Sequence, residues 1–372
     1  MSLAATIIRS KHDKEAWKYT SLAPLVTQKF MAPIPFVKQK TSLDAPLPSI
    51  VSEASERHQI VFLNGIWRPE LSKLGELEGL MQGDADAGYN LKLAGQTCLV
   101  TVPVELVFLT EATEPTEINL KLDIELGASG RLTLIEHQIA PKGGAATAAI
   151  FDTTIRLGPQ AKLVHGKIIY DGDQMTMLAR TNVTVEEGGY YDNFNLIKGG
   201  RLVRNEIEVR LAGKLAQCAL NGAMLLRDST HADTTTHIIH AASDGTSRET
   251  YKSVVAGKAR GVFQGKVTVE RDAQKTDAQQ LCRALLLSDQ AEMDAKPELR
   301  IYADDVKCSH GAAVGELDAD ALFYLRARGI DEQAARGLLM RAFVEEIIDQ
   351  ISMPEWRNYV RQKATEWCDE QN

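Results

Sequence analysis

Cysteine is scarce in this chain. There are five in 372 residues, at positions 98, 218, 282, 308 and 368, and no two are spaced as CxxC. Scattered, odd-numbered thiols in a chain this long exclude a disulfide framework and point to a reducing compartment. No GxxxxGK[ST] run occurs, so the chain is not expected to hydrolyse ATP by itself; GxGxxG and GxSxG are absent too. No stretch approaches 18 uncharged apolar residues and the first residues hold no apolar h-region, which leaves a cytoplasmic protein without a membrane span as the expectation. A formal net charge of −8 argues against a general nucleic-acid binder, which needs a basic face for phosphates.

What remains is ordinary globular composition, 44% hydrophobic and 25% charged, arranged in three textures. Residues 1–90 look mixed. DKEAWKYTSLAPLV begins like a short helix, MAPIPFVKQKTSLDAPLPS carries four of the twelve prolines and reads as extended, and HQIVFLNGIW reads as a strand entering an Asn64-Gly65 hairpin turn. From 91 to 315 short alternating segments recur. INLKLDIELGASGRLTLIEH, FDTTIRLGPQAKLVHGKII, TNVTVEEGGYYDNFNLI and NEIEVRLAGKLAQCALNGA align by eye on Gly127, Gly158, Gly188 and Gly213, at intervals of 31, 30 and 25. Recurrence at that period with strand-like alternation and no helical punctuation predicts a parallel β-helix rather than a sandwich, with glycine at its corners. From 316 to 372 the period becomes helical. Asp318 caps DADALFYLRAR, which stops at Gly329; Asp331 caps a helix whose apolar stripe is Ala335, Leu338, Leu339, Ala342, Phe343, Ile347 and Ile351; Pro354 opens a last helix with Trp356, Tyr359, Val360 and Trp367 on one side. These helices read as a cap on the solenoid end, any exposed remainder serving to dock a partner.

Chemistry-bearing residues are few. Asp304 and Asp305 are adjacent, would face opposite sides of a strand, and read as turn or edge residues. His231 and His237 share strand parity, His240 does not, and all three read as hydrogen-bonded side chains on or between faces. Cys98, Cys218 and Cys282 read as small buried side chains, and Cys368 as exposed near a polar terminus. If RIYADDVKCSH is a strand, Cys308 and His310 project from one face with Cβ atoms roughly 6.5–7 Å apart, while Lys307 points away. A bare CxH pair is most simply a buried thiol beside a hydrogen-bonded histidine. A thiolate and an imidazole can also converge on one iron, but two ligands do not complete a site, so this reading needs further ligands from another chain.

The context of that pair carries a resemblance. DDVKCSHGA, LFYLRARGI and the Phe343-containing helix, together with HIIHAASDGTSRETYKSVVAGKARGVFQGKVTV and AQKTDAQQLCRALLLSDQAEMDAKPEL, resemble the SufB/SufD family of scaffold subunits in the SUF (SufBCD) iron–sulfur cluster assembly complex. EAWKYTSL and VFLNGIWRPELSKL add a weaker match, and SHGAAVG in place of a HEA-type tail favours the D-type (SufD) branch. The resemblance implies a mainly β fold: a right-handed parallel β-helix core with an N-terminal mixed region and a C-terminal helical domain. It implies a non-catalytic scaffold that pairs with a SufB-type sister, with Cys308 and His310 at the subunit interface as metal ligands to a transient, shared iron–sulfur cluster. It implies a C-terminal domain that docks a SufC-type ABC ATPase, for which Phe323, Tyr324, Leu325, Arg328 and Phe343 are the expected contacts. ATP would enter only through that ATPase, reduced flavin through the whole complex, and the isolated chain could pair with itself. An exported β-helix carbohydrate-active enzyme is the rival class, but no export signal or carboxylate cluster supports it; a plain protein-binding solenoid is the other.

Overall fold

The computed structural model describes residues 3–26, 28–32, 47–51, 57–93, 102–140, 143–170 and 172–370. Cys98 and most of the proline-rich stretch lie outside them. The strands, in chain order, are β1 (His58–Leu63), β2 (Ile66–Trp67), β3 (Met81–Asp84), β4 (Gly88–Leu93), β5 (Val104–Leu109), β6 (Thr116–Leu126), β7 (Arg131–Ile139), β8 (Thr147–Leu157), β9 (Lys162–Ile169) and β10 (Met175–Val185). They continue as β11 (Tyr190–Ile197), β12 (Leu202–Leu211), β13 (Gln217–Leu226), β14 (His231–His240), β15 (Thr246–Val255), β16 (Arg260–Val269), β17 (Thr276–Leu286), β18 (Glu292–Ile301) and β19 (Val306–Gly315). Two helices, α1 (Leu3–His12) and α2 (Ala23–Val26), precede them; α3 (Ala319–Ala327), α4 (Glu332–Ile348) and α5 (Pro354–Asp369) follow.

From β4 onward successive strands alternate between two sheets, and each pairs in parallel with the strand two places along. One sheet runs β19-β17-β15-β13-β11-β9-β7-β5-β1-β2, the other β18-β16-β14-β12-β10-β8-β6-β4-β3. The chain is thus a parallel β-solenoid with terminal helices. The strands β1 to β4, which begin within the mixed N-terminal region of the sequence reading, already belong to its sheets through the pairs β1·β5 and β4·β6. The expected Asn64-Gly65 hairpin is present, with both residues at positive φ (50° and 80°) and Leu63 opposite Ile66.

The repeat is real, but its corner is not built as the glycine marks suggest. Ser129, Gln160, Gly188 and Leu215 occupy the left-handed corner position, followed by Asp244 and Lys275. Each donates its amide to the carbonyl of the next coil's corner: Ser129 to Pro159, Gln160 to Glu187, Gly188 to Lys214, Leu215 to Ser243, Asp244 to Gln274 and Lys275 to Asp305. Gly188 therefore sits two residues later in its coil than Gly158 does in its own. Gly158 and Gly213 serve close stacking instead. A Cβ on Gly213 would lie 2.0 Å from the Glu187 amide nitrogen, and one on Gly158 2.9 Å from that of Ala128.

The two sheets enclose the main core, from Ile60 and Phe62 at one end to Ala278 and Cys282 near the other. The outer faces are covered separately. Trp17, Leu22 and Leu25 pack on Ala148, Ile150 and Leu178 of the nine-stranded sheet, and Arg204 stacks on Trp17 with its guanidinium 4.0 Å from the ring centroid. The helix expected from residue 13 is instead α1, ending at His12, followed by turns. The Ala16 carbonyl, needed for a helical bond to Thr20, accepts from Arg204 and Gln264 of the sheet (2.9 and 3.1 Å).

The C-terminal helices do not cap the solenoid end; α4 and α5 lie across the outer face of the ten-stranded sheet, against Ile135, Ile168, Phe194, Leu196 and Val254. The expected caps are present, with Asp318 accepting from the Asp320 and Ala321 amides and Asp331 from that of Ala334; Gly329 ends α3 at φ 86° and Pro354 opens α5. The α4 stripe is shifted: Ala335, Gly337, Met340, Val344, Ile347 and Ile348 are buried, whereas Leu338 and Ala342 are exposed. Apolar residues surround this helix, so its pattern alone does not choose a face. On α5, Trp356, Val360, Ala364, Trp367 and Cys368 form the buried stripe. The expectation that Cys368 is exposed is overturned, because one helical turn from Ala364 places its thiol under the helix, and burial pushes it up to about 11.

Inside the solenoid lies a file of buried polar side chains. Glu136 accepts from His165 (2.9 Å) and pairs with Lys167 (3.3 Å). Burial opposes its ionisation, but the Lys167 charge and the His165 bond prevail and hold it at about 2. Four coils on, Glu249 has no such cation among the described residues. Desolvation raises it to about 7; Cys218, Tyr251 and Cys282 lie near it, and the hydrogen bond from Gln280 only partly offsets the burial. A carboxyl whose folded pKa exceeds its unfolded value favours folding while protonated, and its contribution declines as pH rises from about 4.5 to about 7. Glu249→Gln removes that decline. In chemical denaturation from pH 4 to 8, the variant should gain on the native chain by up to about 3 kcal/mol as pH rises; a difference independent of pH would show that Glu249 ionises normally.

Candidate functional site

The segment RIYADDVKCSH, read above as one strand, is two. β18 ends at Ile301 and β19 begins at Val306 in the other sheet, with Asp304 and Asp305 in the bend between. Asp305 closes the corner ladder, its carbonyl accepting from Lys275 (2.6 Å) and its amide bonding Gln274 Oε1 (3.0 Å). The two aspartates are corner residues, as expected.

β19 places Cys308 opposite Ala278 and His310 opposite Gln280. Ala278 and the half-buried Cys308 belong to the interior core, so strand parity puts His310 on the same inward-facing side. Lys307, opposite Asp277, faces away from that interior. His310 is exposed, because among the described residues no further coil covers β19. Desolvation raises the Cys308 thiol above its usual range; the Asp277 charge adds to this and a backbone hydrogen bond at Ala278 partly offsets it. The resting group is a thiol, and a bound cation would have to displace its proton.

The pair sits on the last rung. Among the described residues β19 bonds only β17, and β18 only β16, so both sheets end at the same end of the molecule in unpaired strand edges. Ile301, Tyr302 and Val314 lie exposed around this end. Unpaired backbone beside exposed apolar side chains is a template for another chain. Among the described residues no three His, Cys, Asp or Glu side chains gather to hold a metal ion. Cys308 and His310 can supply a soft sulfur and an imidazole nitrogen, half of a four-ligand set.

The remaining sequence candidates are satisfied locally. His231 contacts Thr20 (3.1 Å), His237 contacts Glu208 and Thr268 (3.3 and 3.0 Å), and the inward His240 contacts Ser247 (2.9 Å). Cys218 and Cys282 are buried, and burial pushes the Cys282 thiol up to about 12. Sequence reasoning missed Glu249 and Gln280, which stand behind His310: the Gln280 Nε2 donates to Glu249 Oε2 at 2.5 Å. The signal was present in the alternation of SRETYKSVV, where Glu249 shares parity with Tyr251 and Val255, but polar residues in an alternating strand read by default as solvent-facing.

The expected docking residues divide. α3 buries none of its side chains; Phe323 is 75% and Tyr324 58% exposed, Leu325 is half-buried, and Arg328 is exposed with its guanidinium over the Tyr324 ring (5.2 Å). Leu338 of α4 adds to the exposed apolar surface. Phe343 is engaged internally. Its ring lies 4.4 Å from the Lys252 ammonium, and the buried Lys252 donates to the Phe343 carbonyl (2.9 Å) and to Glu346 (2.6 Å), fastening α4 to β15. Among the described residues no helix is long and apolar enough to cross a membrane.

Comparison with known proteins agrees with this geometry. Residues 108–343 match the family model described as SUF system FeS cluster assembly, SufBD core domain. The chain is 30% identical to the iron–sulfur cluster assembly protein SufD of Escherichia coli, with 91% of this chain and 84% of that protein aligned. It is also 30% identical to a SufBD family protein of Synechocystis (95% and 86%) and 32% identical to the chloroplastic protein ABCI7 of Arabidopsis thaliana (71% and 57%). A β-solenoid matched over most of its coils, by a family model and by near full-length relatives alike, belongs to the SufBD family of the SUF iron–sulfur cluster assembly system.

Proposed function

We propose that this chain is a D-type scaffold subunit, without catalytic activity of its own, on which an iron–sulfur cluster is assembled jointly with a SufB-type sister in the cytoplasm. The observation that carries the reading is the position of Cys308 and His310 on the uncapped last rung, inward-facing and backed by the core on one side only. A sister chain that pairs with the free edges of β18 and β19 would cover that end and bring the missing ligands. Alone, the same edge could pair with a second copy of itself.

The exposed side of α3 is the surface proposed for an ABC ATPase of the SufC type. Phe323, Tyr324 and Leu338 present apolar area that the fold does not use. α4, fastened to β15 through Lys252, would transmit movement at that surface to the solenoid. ATP would act only through the ATPase. Reduced flavin, if the complex uses it, would be held by the assembled subunits.

Two outcomes test the reading. Cys308→Ala with His310→Ala should leave unfolding free energy within about 1 kcal/mol, since one side chain is exposed and the other half-buried at an open end, while cluster assembly in cells falls about tenfold or more. Normal assembly per folded molecule would remove the ligand role. Phe323→Asp should melt like the native chain yet recover the ATPase about tenfold or more less efficiently in co-purification; undiminished recovery would place the docking surface elsewhere.

A further inference from the structure

His310 has a neighbour placed to orient it. Glu249 in β15, Gln280 in β17 and His310 in β19 lie opposite one another in consecutive coils, all inward-facing, and neighbouring rungs are about 4.8 Å apart. Gln280 is 3% exposed. One end of its amide is committed, since Nε2 donates to Glu249 Oε2 at 2.5 Å. The other end is not: Oε1 is buried and has no partner among the described residues. A buried acceptor left unpaired costs free energy, so it marks a place where a donor is expected. The opposite sheet makes room for this pose, because a Cβ on Gly265 would lie 2.1 Å from the Gln280 Nε2.

Imidazole that binds iron through one nitrogen keeps its proton on the other, and that N–H is ordinarily held by an acceptor behind the ring. We propose that Gln280 is the positioning residue for His310: its Oε1 accepts the ring N–H when His310 turns inward, leaving the other nitrogen unprotonated and directed to the subunit edge. Glu249 fixes which end of the amide faces His310, and Gly265 gives the amide its space. A carboxamide orients the ring without bringing a negative charge beside the thiol of Cys308.

The inference rests on reading His310 as a ligand, and its test is separable from that reading. In the full chain carrying isotope-labelled histidine, with His310 assigned by comparison with His310→Gln, nuclear magnetic resonance reads the ratio of the two neutral ring tautomers. Gln280→Leu should change that ratio about threefold or more, as expected for loss of one hydrogen bond, and Gln280→Glu should preserve the native preference. Gly265→Ala displaces the amide without altering it and should move the ratio in the same direction, which keeps the test decisive if Gln280→Leu folds poorly. An unchanged ratio in the folded variants, with or without lower melting, would leave Gln280 a packing residue and overturn the proposal. Normal cluster assembly without Cys308 and His310 would instead remove the ligand role while the tautomer result stood.

Discussion

The structure depends on one backbone constraint: a parallel solenoid must end somewhere, and at its last coil the strands have hydrogen-bonding groups and no neighbour. From β4 onward each strand is bonded on both sides, and the corner amides add a second ladder from Ser129 to Asp305. At β18 and β19 both stop. The beginning is protected differently, by the antiparallel strands β2 and β3. The C-terminal helices leave the end bare because their apolar surface is used on the flank of the ten-stranded sheet, where Trp356 fits against the bare backbone of Gly166; a Cβ there would lie 2.5 Å from the indole.

This arrangement links stability to chemistry. Farther inside, polar side chains are kept by local pairing, as Glu136 is by Lys167 and His165. Toward the open end, among the described residues, Glu249 has one hydrogen bond and no cation, Gln280 has one free acceptor, and His310 is exposed. The last coil is open on one side, and groups added there can meet partners that the fold itself does not supply. A scaffold that must take up a cluster and give it away is well served by an incomplete shell.

Much of this was legible in sequence. The strand repeat, the Asn64-Gly65 turn, the Asp318 and Asp331 caps and the Pro354 start each follow from local chemistry that tertiary structure left intact. Other readings gave way to packing. Gly188 was aligned with glycines that serve close approach, whereas it is the corner residue itself. The face of α4 was misjudged because apolar residues surround it, and Cys368 because polarity of the last residues said nothing of its helical phase. For the candidate site, the spacing of Cys308 and His310 was readable, but their place on an open rung was not, since whether helices cap an end or a flank is decided by surfaces far apart in the chain. Glu249 and Gln280 were missed because alternation gives parity without saying which side faces the core.

The central claim, that a second chain completes the last rung, is tested most directly by amide hydrogen exchange across β19 in the isolated chain and in complex with a SufB-type sister. The account predicts rapid exchange at the free edge of residues 306–315 when the chain is monomeric, and strong protection there on pairing, with β9 and β11 unchanged. Equal exchange at β19 in the two states, with the complex formed, would contradict it.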